Sequence, residues 1–189
     1  MPNSNSFTKL FTLFIATAVI VSTWATSVNA QVQLTEQSKL AINGIGPIRV
    51  GMTVDEASRA AGVRLVNSIS GGEEYGCLFF KPEEPKNLNF MVTNGRIARI
   101  TVMNDRITTI KGAKIGDTED RIIALYPGQI QVIRAPLRVR ENENSKNLTF
   151  VPKDAVDKNY RIIFETYNNK VSRFRSGKLP EVEFIEGCL

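Results

Sequence analysis

One phrase occurs twice in this chain, and it constrains the fold more than any other feature. The first copy runs Gly46-Pro-Ile-Arg-Val-Gly-Met-Thr-Val-Asp-Glu-Ala-Ser-Arg-Ala-Ala-Gly62. The second runs Lys111-Gly-Ala-Lys-Ile-Gly-Asp-Thr-Glu-Asp-Arg-Ile-Ile-Ala-Leu-Tyr-Pro-Gly128. Gly51 and Thr53 align with Gly116 and Thr118 at a fixed offset, so the expectation is two unequal tandem repeats. Thr53 is a good N-cap, and Glu56 three residues later completes a capping box. Val54, Ala57, Ala60 and Ala61 then recur at helical spacing, and Gly62 supplies a left-handed stop. In the second copy Thr118 caps, with Glu119 and Asp120 in the first turn, where the helix dipole favours acids. Arg121 stands where the capping-box Glu would be, so that cap is weaker. Ile122, Leu125 and Tyr126 form the apolar stripe, and Pro127-Gly128 ends it.

Each helix is followed by strand patterns. In the first half these are Gly76–Lys81, Leu88–Thr93 and Arg96–Val102, the last two around Asn94-Gly95, a strong hairpin signal. In the second half they are Ile130–Arg134, Leu148–Val151, Tyr160–Thr166, Val171–Arg175 and Val182–Ile185, with Asn168-Asn169 as the matching turn. The expected class is therefore α+β: two repeats, each with a short helix packed on a small antiparallel sheet, able to join into one curved sheet. The expected organisation is an export signal over 1–30, a linker or short helix over 31–45, repeat 1 over 46–108 and repeat 2 over 109–189.

The N-terminal segment sets the compartment. Lys9 is the only charge in the first 30 residues, and Phe11 to Val21 is the most apolar stretch. About a dozen apolar residues suit a signal-peptide core of ~7–15 better than a membrane span of ~20. Val28 and Ala30 occupy the −3 and −1 places of a small-residue cleavage site, which predicts cleavage between Ala30 and Gln31. An uncleaved anchor helix is the alternative. With no cysteine near that site and no second long apolar segment, the expected product is secreted or periplasmic, without a stable membrane anchor. Cleavage removes one lysine and no acid, so the formal charge falls from +5 to +4. The basic residues Arg96, Arg99, Arg106, Arg134, Arg138, Arg140, Arg173 and Arg175 are scattered, which reads as a solvated surface. That pattern and export together argue against a nucleic-acid partner.

The mature chain keeps two cysteines, Cys77 and Cys188. An oxidising compartment lets them pair, and within one chain only one connectivity exists. Two free thiols or an intermolecular bridge are the alternatives.

The phrase Ile48-Arg-Val-Gly-Met-Thr-Val-Asp-Glu-Ala57 resembles the helix start of β-lactamase inhibitory protein-like domains. It is similar also to a phrase in the small lipoprotein of the outer-membrane β-barrel assembly machine. The resemblance covers residues 46–189 as architecture. It implies an exported domain of helical turns on small antiparallel sheets, duplicated in tandem, that binds another extracytoplasmic protein. Inhibitor-type repeats carry a disulfide each, whereas this chain has one cysteine pair. The lipoprotein's anchor cysteine is absent, and the second copy reads Gly-Asp-Thr. Carried over from the inhibitor, the contact loop falls on Lys81 to Lys86, where Pro82 and Pro85 stiffen Glu83 and Glu84. A plain solvated turn is the competing reading.

Histidine is absent. That removes Ser-His-Asp and Cys-His triads, the commonest general base and most zinc sites. Gly71-Gly72 lacks the Gly-Lys-Ser/Thr of a phosphate loop. The acids at Glu73-Glu74, Glu83-Glu84 and Asp117/Glu119/Asp120 read as surface solubilisers. The polar stretch from Arg140 to Asn147 reads as a loop rather than a calcium site. Asn147-Leu-Thr149 is a glycosylation sequon that matters only on a eukaryotic secretory route. No catalytic residue, metal or cofactor is expected, and nothing sets an oligomeric state. The expected function is an exported, non-catalytic protein-binding module, inhibitor-like or a cell-envelope accessory. A purely structural envelope protein is the alternative. A histidine-free hydrolase using carboxylates or Tyr75/Tyr160 is a weaker one.

Overall fold

The computed structural model describes residues 33–68, 76–134, 144–185 and 187–188. The export signal with its Ala30/Gln31 cleavage point lies outside the described residues. So do Gly71 to Tyr75, Arg138, Arg140 and most of the polar stretch before Asn144.

Two sheets and two short helices make an α+β fold. The strands of the main sheet are β4 (Leu65–Asn67), β5 (Cys77–Pro82), β6 (Leu88–Thr93), β7 (Arg96–Val102), β9 (Ile130–Arg134), β10 (Ser145–Phe150), β11 (Tyr160–Tyr167) and β12 (Lys170–Lys178). Their order is β4-β5-β6-β7-β12-β11-β10-β9, and every neighbouring pair is antiparallel. A smaller sheet holds β1 (Lys39–Ala41), β2 (Gly44–Ile45), β3 (Ile48–Arg49) and β8 (Thr108–Thr109), with β1 and β8 parallel. The helices are α1 (Val54–Ala61) and α2 (Glu119–Leu125). One core unites them with one face of the main sheet: Ala57 and Ala61 of α1, Ile122 of α2 and Tyr126 meet Phe90, Ile97, Ile100, Phe164 and Phe174.

The α1 cap forms as expected. Glu56 N–H donates to Thr53 Oγ1 at 3.2 Å, and Thr53 N–H donates to Glu56 Oε2 at 2.9 Å. Gly62 closes the helix with φ 64°, a left-handed conformation that glycine adopts without a Cβ penalty. At α2 only one half of that arrangement survives: Arg121 N–H donates to Thr118 Oγ1 at 3.3 Å. Other contacts supplement it. Asp117 pairs with Arg121 at 3.2 Å, and buried Glu119 accepts from Lys146 Nζ and Thr166 Oγ1, both at 2.7 Å. We therefore expect Thr53→Ala to lower stability by about 1–2 kcal/mol. Thr118→Ala should cost about as much, since each change removes one side-chain acceptor and the residue-53 backbone N–H can still donate to Glu56 Oε2 in Thr53→Ala; urea unfolding of both variants checks this.

The same backbone contact occurs in each half. Gly51 N–H donates to Ile97 O and Ile97 N–H to Met52 O; Gly116 N–H donates to Val171 O and Val171 N–H to Asp117 O. Both hairpin turns take left-handed pairs, Asn94 (φ 51°) with Gly95 (φ 73°) and Asn168 (φ 49°) with Asn169 (φ 64°). Such turns match the twist of the flanking strands. A bulge follows at the same place in each hairpin. Between Ile97 and Arg99 the extra residue is Ala98, and between Val171 and Arg173 it is Ser172. The strand seam is symmetric as well: Val102 faces Phe174 and Ile100 faces Ser176 across β7 and β12.

Three expectations need correction. The stretch 31–45, expected as a linker or short helix, carries among its described residues the strands β1 (Lys39–Ala41) and β2 (Gly44–Ile45). β1 is short, and its partner β8 is far along the chain, so no local periodicity announces it. Val182–Ile185 is no strand; Glu181–Glu183 form a 3-10 turn after Pro180. A proline has no N–H to give a ladder. Pro82, placed in a loop by its sequence, is the buried last residue of β5, opposite Leu65.

Candidate functional site

The alternation of a strand puts successive side chains on opposite faces, so the bulges decide which residues leave the core face. On β7 the extra residue Ala98 lets Ile97, Ile100 and Val102 all join the core and turns Arg99 to the other face. On β12, Ser172 does the same for Val171 and Phe174, and turns out Arg173 and Arg175. Because β7 and β12 are neighbours, the three guanidinium groups converge in one pocket of about 180 Å³.

Glu165 of β11 is the carboxylate that lines it. It accepts from Arg173 Nε at 2.5 Å, and pairs closely with Arg175 Nη1. Arg175 Nε also donates to Val182 O at 2.7 Å. Arg99 is held differently. Its Nη1 donates to the carbonyls of Phe184 (2.8 Å) and Glu181 (3.3 Å), and its guanidinium carbon lies 5.8 Å from the Phe79 ring centre. Its Nε is buried with no hydrogen-bond partner among the described residues. Burial pushes the Arg99 guanidinium down to about 10, with the Arg173 charge adding to the effect. Burial also pushes Arg175 down to about 10, with the Arg99 charge adding and Glu183 opposing. Both stay cationic at neutral pH. Among the described lining residues, three positive charges thus face one negative charge. Phe79, Met103 and Ile185 supply apolar wall.

The cysteine pair belongs to this site. Cys77, the first residue of β5, is bonded to Cys188, 111 positions on. The expected intramolecular bridge is present. It fastens the tail whose Ile185 and Gly187 form one side of the pocket, with Gly187 packed on Phe79.

No residue of the Lys81–Lys86 loop lines this pocket. Glu83 and Glu84 are exposed, Pro82 and Pro85 are buried, and Glu84 pairs with Lys86 at 3.7 Å. Its far end is tied down by Met103 N–H to Asn87 O (2.8 Å) and Asn104 Nδ2 to Lys86 O (3.1 Å). Asp117 and Glu119 are buried and paired rather than solvated. Arg106 is exposed and bonded to Glu36. Of the eight arginines read as a solvated surface, Arg99 and Arg175 are buried and Arg173 is part-buried. A signal for this was present: aligning the two turns sets Ile97-Ala-Arg99 on Val171-Ser-Arg173. Among the described residues no group of three or more His, Cys, Asp or Glu is placed to hold a metal ion.

No family model matches the chain, and no curated protein matches it. Among solved structures it is similar to the uncharacterized protein yfeY from Escherichia coli, at 18% identity and a TM-score of 0.49, over 74% of this chain and 99% of that one.

Proposed function

We propose that this chain is an exported, non-catalytic protein-binding module built from two tandem copies of one helix-and-sheet unit. The observation that carries the binding reading is β9. It is an edge strand with no neighbour on its outer side among the described residues, and Val132 (51% exposed) and Ile133 (55%) point from its two faces. An open apolar edge presents unpaired backbone groups, so a partner strand can add to it with main-chain hydrogen bonds. Export is supported by the Val28-x-Ala30 ending of the apolar leader, and by a long-range disulfide of the kind oxidising compartments sustain. Duplication is supported by the matched Gly-x-Thr contacts, turns and bulges. The absence of histidine supports a non-catalytic role. The resemblance to inhibitory protein-like domains points the same way, with Glu83 and Glu84 as a second contact.

Cross-linking in the extracytoplasmic fraction tests this reading. The recovered chain should begin at Gln31 and carry a discrete cross-linked protein. Val132→Lys with Ile133→Lys should deplete that adduct at least about tenfold, because lysines blunt an edge. A chain retained inside the cell with its leader intact would refute export. A folded wild-type chain without any discrete adduct would favour the purely structural envelope role.

A further inference from the structure

We propose that the Arg99–Arg173–Arg175 pocket is a binding site for a carboxylate. Three features support it together. The first is charge: among the described lining residues two positive charges are left over after Glu165 is counted, and two of the three arginines, Arg99 and Arg175, are buried where water screens them poorly. The second is an unused donor. Arg99 is 6% exposed, yet its Nε finds no acceptor among the described residues, and a buried N–H left unmade is costly. The third is shape. Guanidinium groups present forked N–H donors that fit the two oxygens of a carboxylate, while Phe79, Met103 and Ile185 accept a short carbon skeleton.

Size narrows the class. About 180 Å³ takes a side chain or a small organic acid, and is well below the 300–1,000 Å³ of pockets that enclose larger ligands. The carboxylate can come from a free dicarboxylic acid or from an acidic side chain at a partner's surface. The site is independent of the β9 edge and of export, since it is built from β5, β7, β11, β12 and the tail.

The test is an NMR titration of the chain, with the Cys77–Cys188 bridge intact, by two probes: succinate and a capped Gly-Glu-Glu-Gly peptide. Saturable shifts centred on Phe79 and the Arg99 Nε–H are expected, weakening as salt is raised. Arg173→Gln should weaken binding at least about tenfold, whereas Lys111→Gln, an equal loss of charge outside the pocket, should leave it unchanged. Arg173 is chosen because its side chain is 37% exposed and it makes none of the Arg99 contacts to the tail. Arg99→Lys, which keeps the charge and loses the fork, should weaken binding as well. Tighter binding of the peptide assigns the site to a partner's side chain; tighter binding of succinate assigns it to a free acid. No shift with either probe up to about 10 mM overturns the proposal, as do equal effects of Arg173→Gln and Lys111→Gln.

Discussion

Replacing Cys77 and Cys188 together by serine should lower the unfolding free energy by about 4–5 kcal/mol. The bridge joins residues 111 positions apart, so in the unfolded state it closes everything from Cys77 to Cys188 into one loop. In the loop-entropy account that constraint, rather than any contact in the folded state, is the source of the stability. Two measurements separate these sources. Urea unfolding of oxidised and serine proteins should give different midpoints, and the serine protein should also show a larger m-value, because its unfolded state is less compact. A loss below about 1 kcal/mol would mean that the unfolded chain is already compact there. The folded state changes locally: the tail loses its covalent tie, and with it Gly187 and Ile185 are less firmly held against Phe79 and Arg99. Carboxylate binding should therefore weaken in the serine protein even under conditions where it is fully folded.

The parts of this fold legible in sequence are those whose physics is local. Thr53 and Glu56 announce a cap, and both reciprocal bonds form. Asn94-Gly95 announces a turn, and the strands on either side fall at Leu88–Thr93 and Arg96–Val102 as the pattern predicts. The parts that sequence hides depend on long-range pairing. β2, β3 and β8 are each two residues long, too short for alternation to register. Val182-Glu-Phe-Ile185 alternates as a strand would, but its carbonyls are spent on Arg99 and Arg175, whose positions no local rule could supply. The arginine pocket is hidden for the same reason. Arg99 and Arg173 are 74 positions apart, and only the two bulges and the β7–β12 seam bring them to one face.

A single methyl group at that seam should also be costly. Gly177 pairs with Arg99 across it, with a backbone conformation that any residue can adopt, so it is there for space and not for flexibility. A Cβ built at position 177 would lie 2.4 Å from the Ala98 carbonyl oxygen and 2.8 Å from the Arg99 Cα. Both atoms are backbone, so no side-chain rotation relieves the clash. β7 or β12 has to move, and the two strands join the halves of the sheet. Gly177→Ala should therefore cost about 3 kcal/mol, the upper end of the usual overpacking range, even though alanine exceeds glycine in strand propensity. Glycine in a strand interior otherwise weakens it, and here the close approach outweighs that penalty. Gly51→Ala would not imitate it, because nothing lies within 4 Å of a Cβ there and the strain at φ 96° is purely conformational. Hydrogen exchange distinguishes the two. Gly177→Ala should speed exchange at Ile100 and Ser176 on both sides of the seam, while Gly51→Ala should leave those amides protected. Unchanged protection at Ile100 and Ser176 in Gly177→Ala would mean that the backbone absorbs the methyl group without opening the ladder, and that the shared core of Phe164, Phe174 and Ile100 keeps the two strands together.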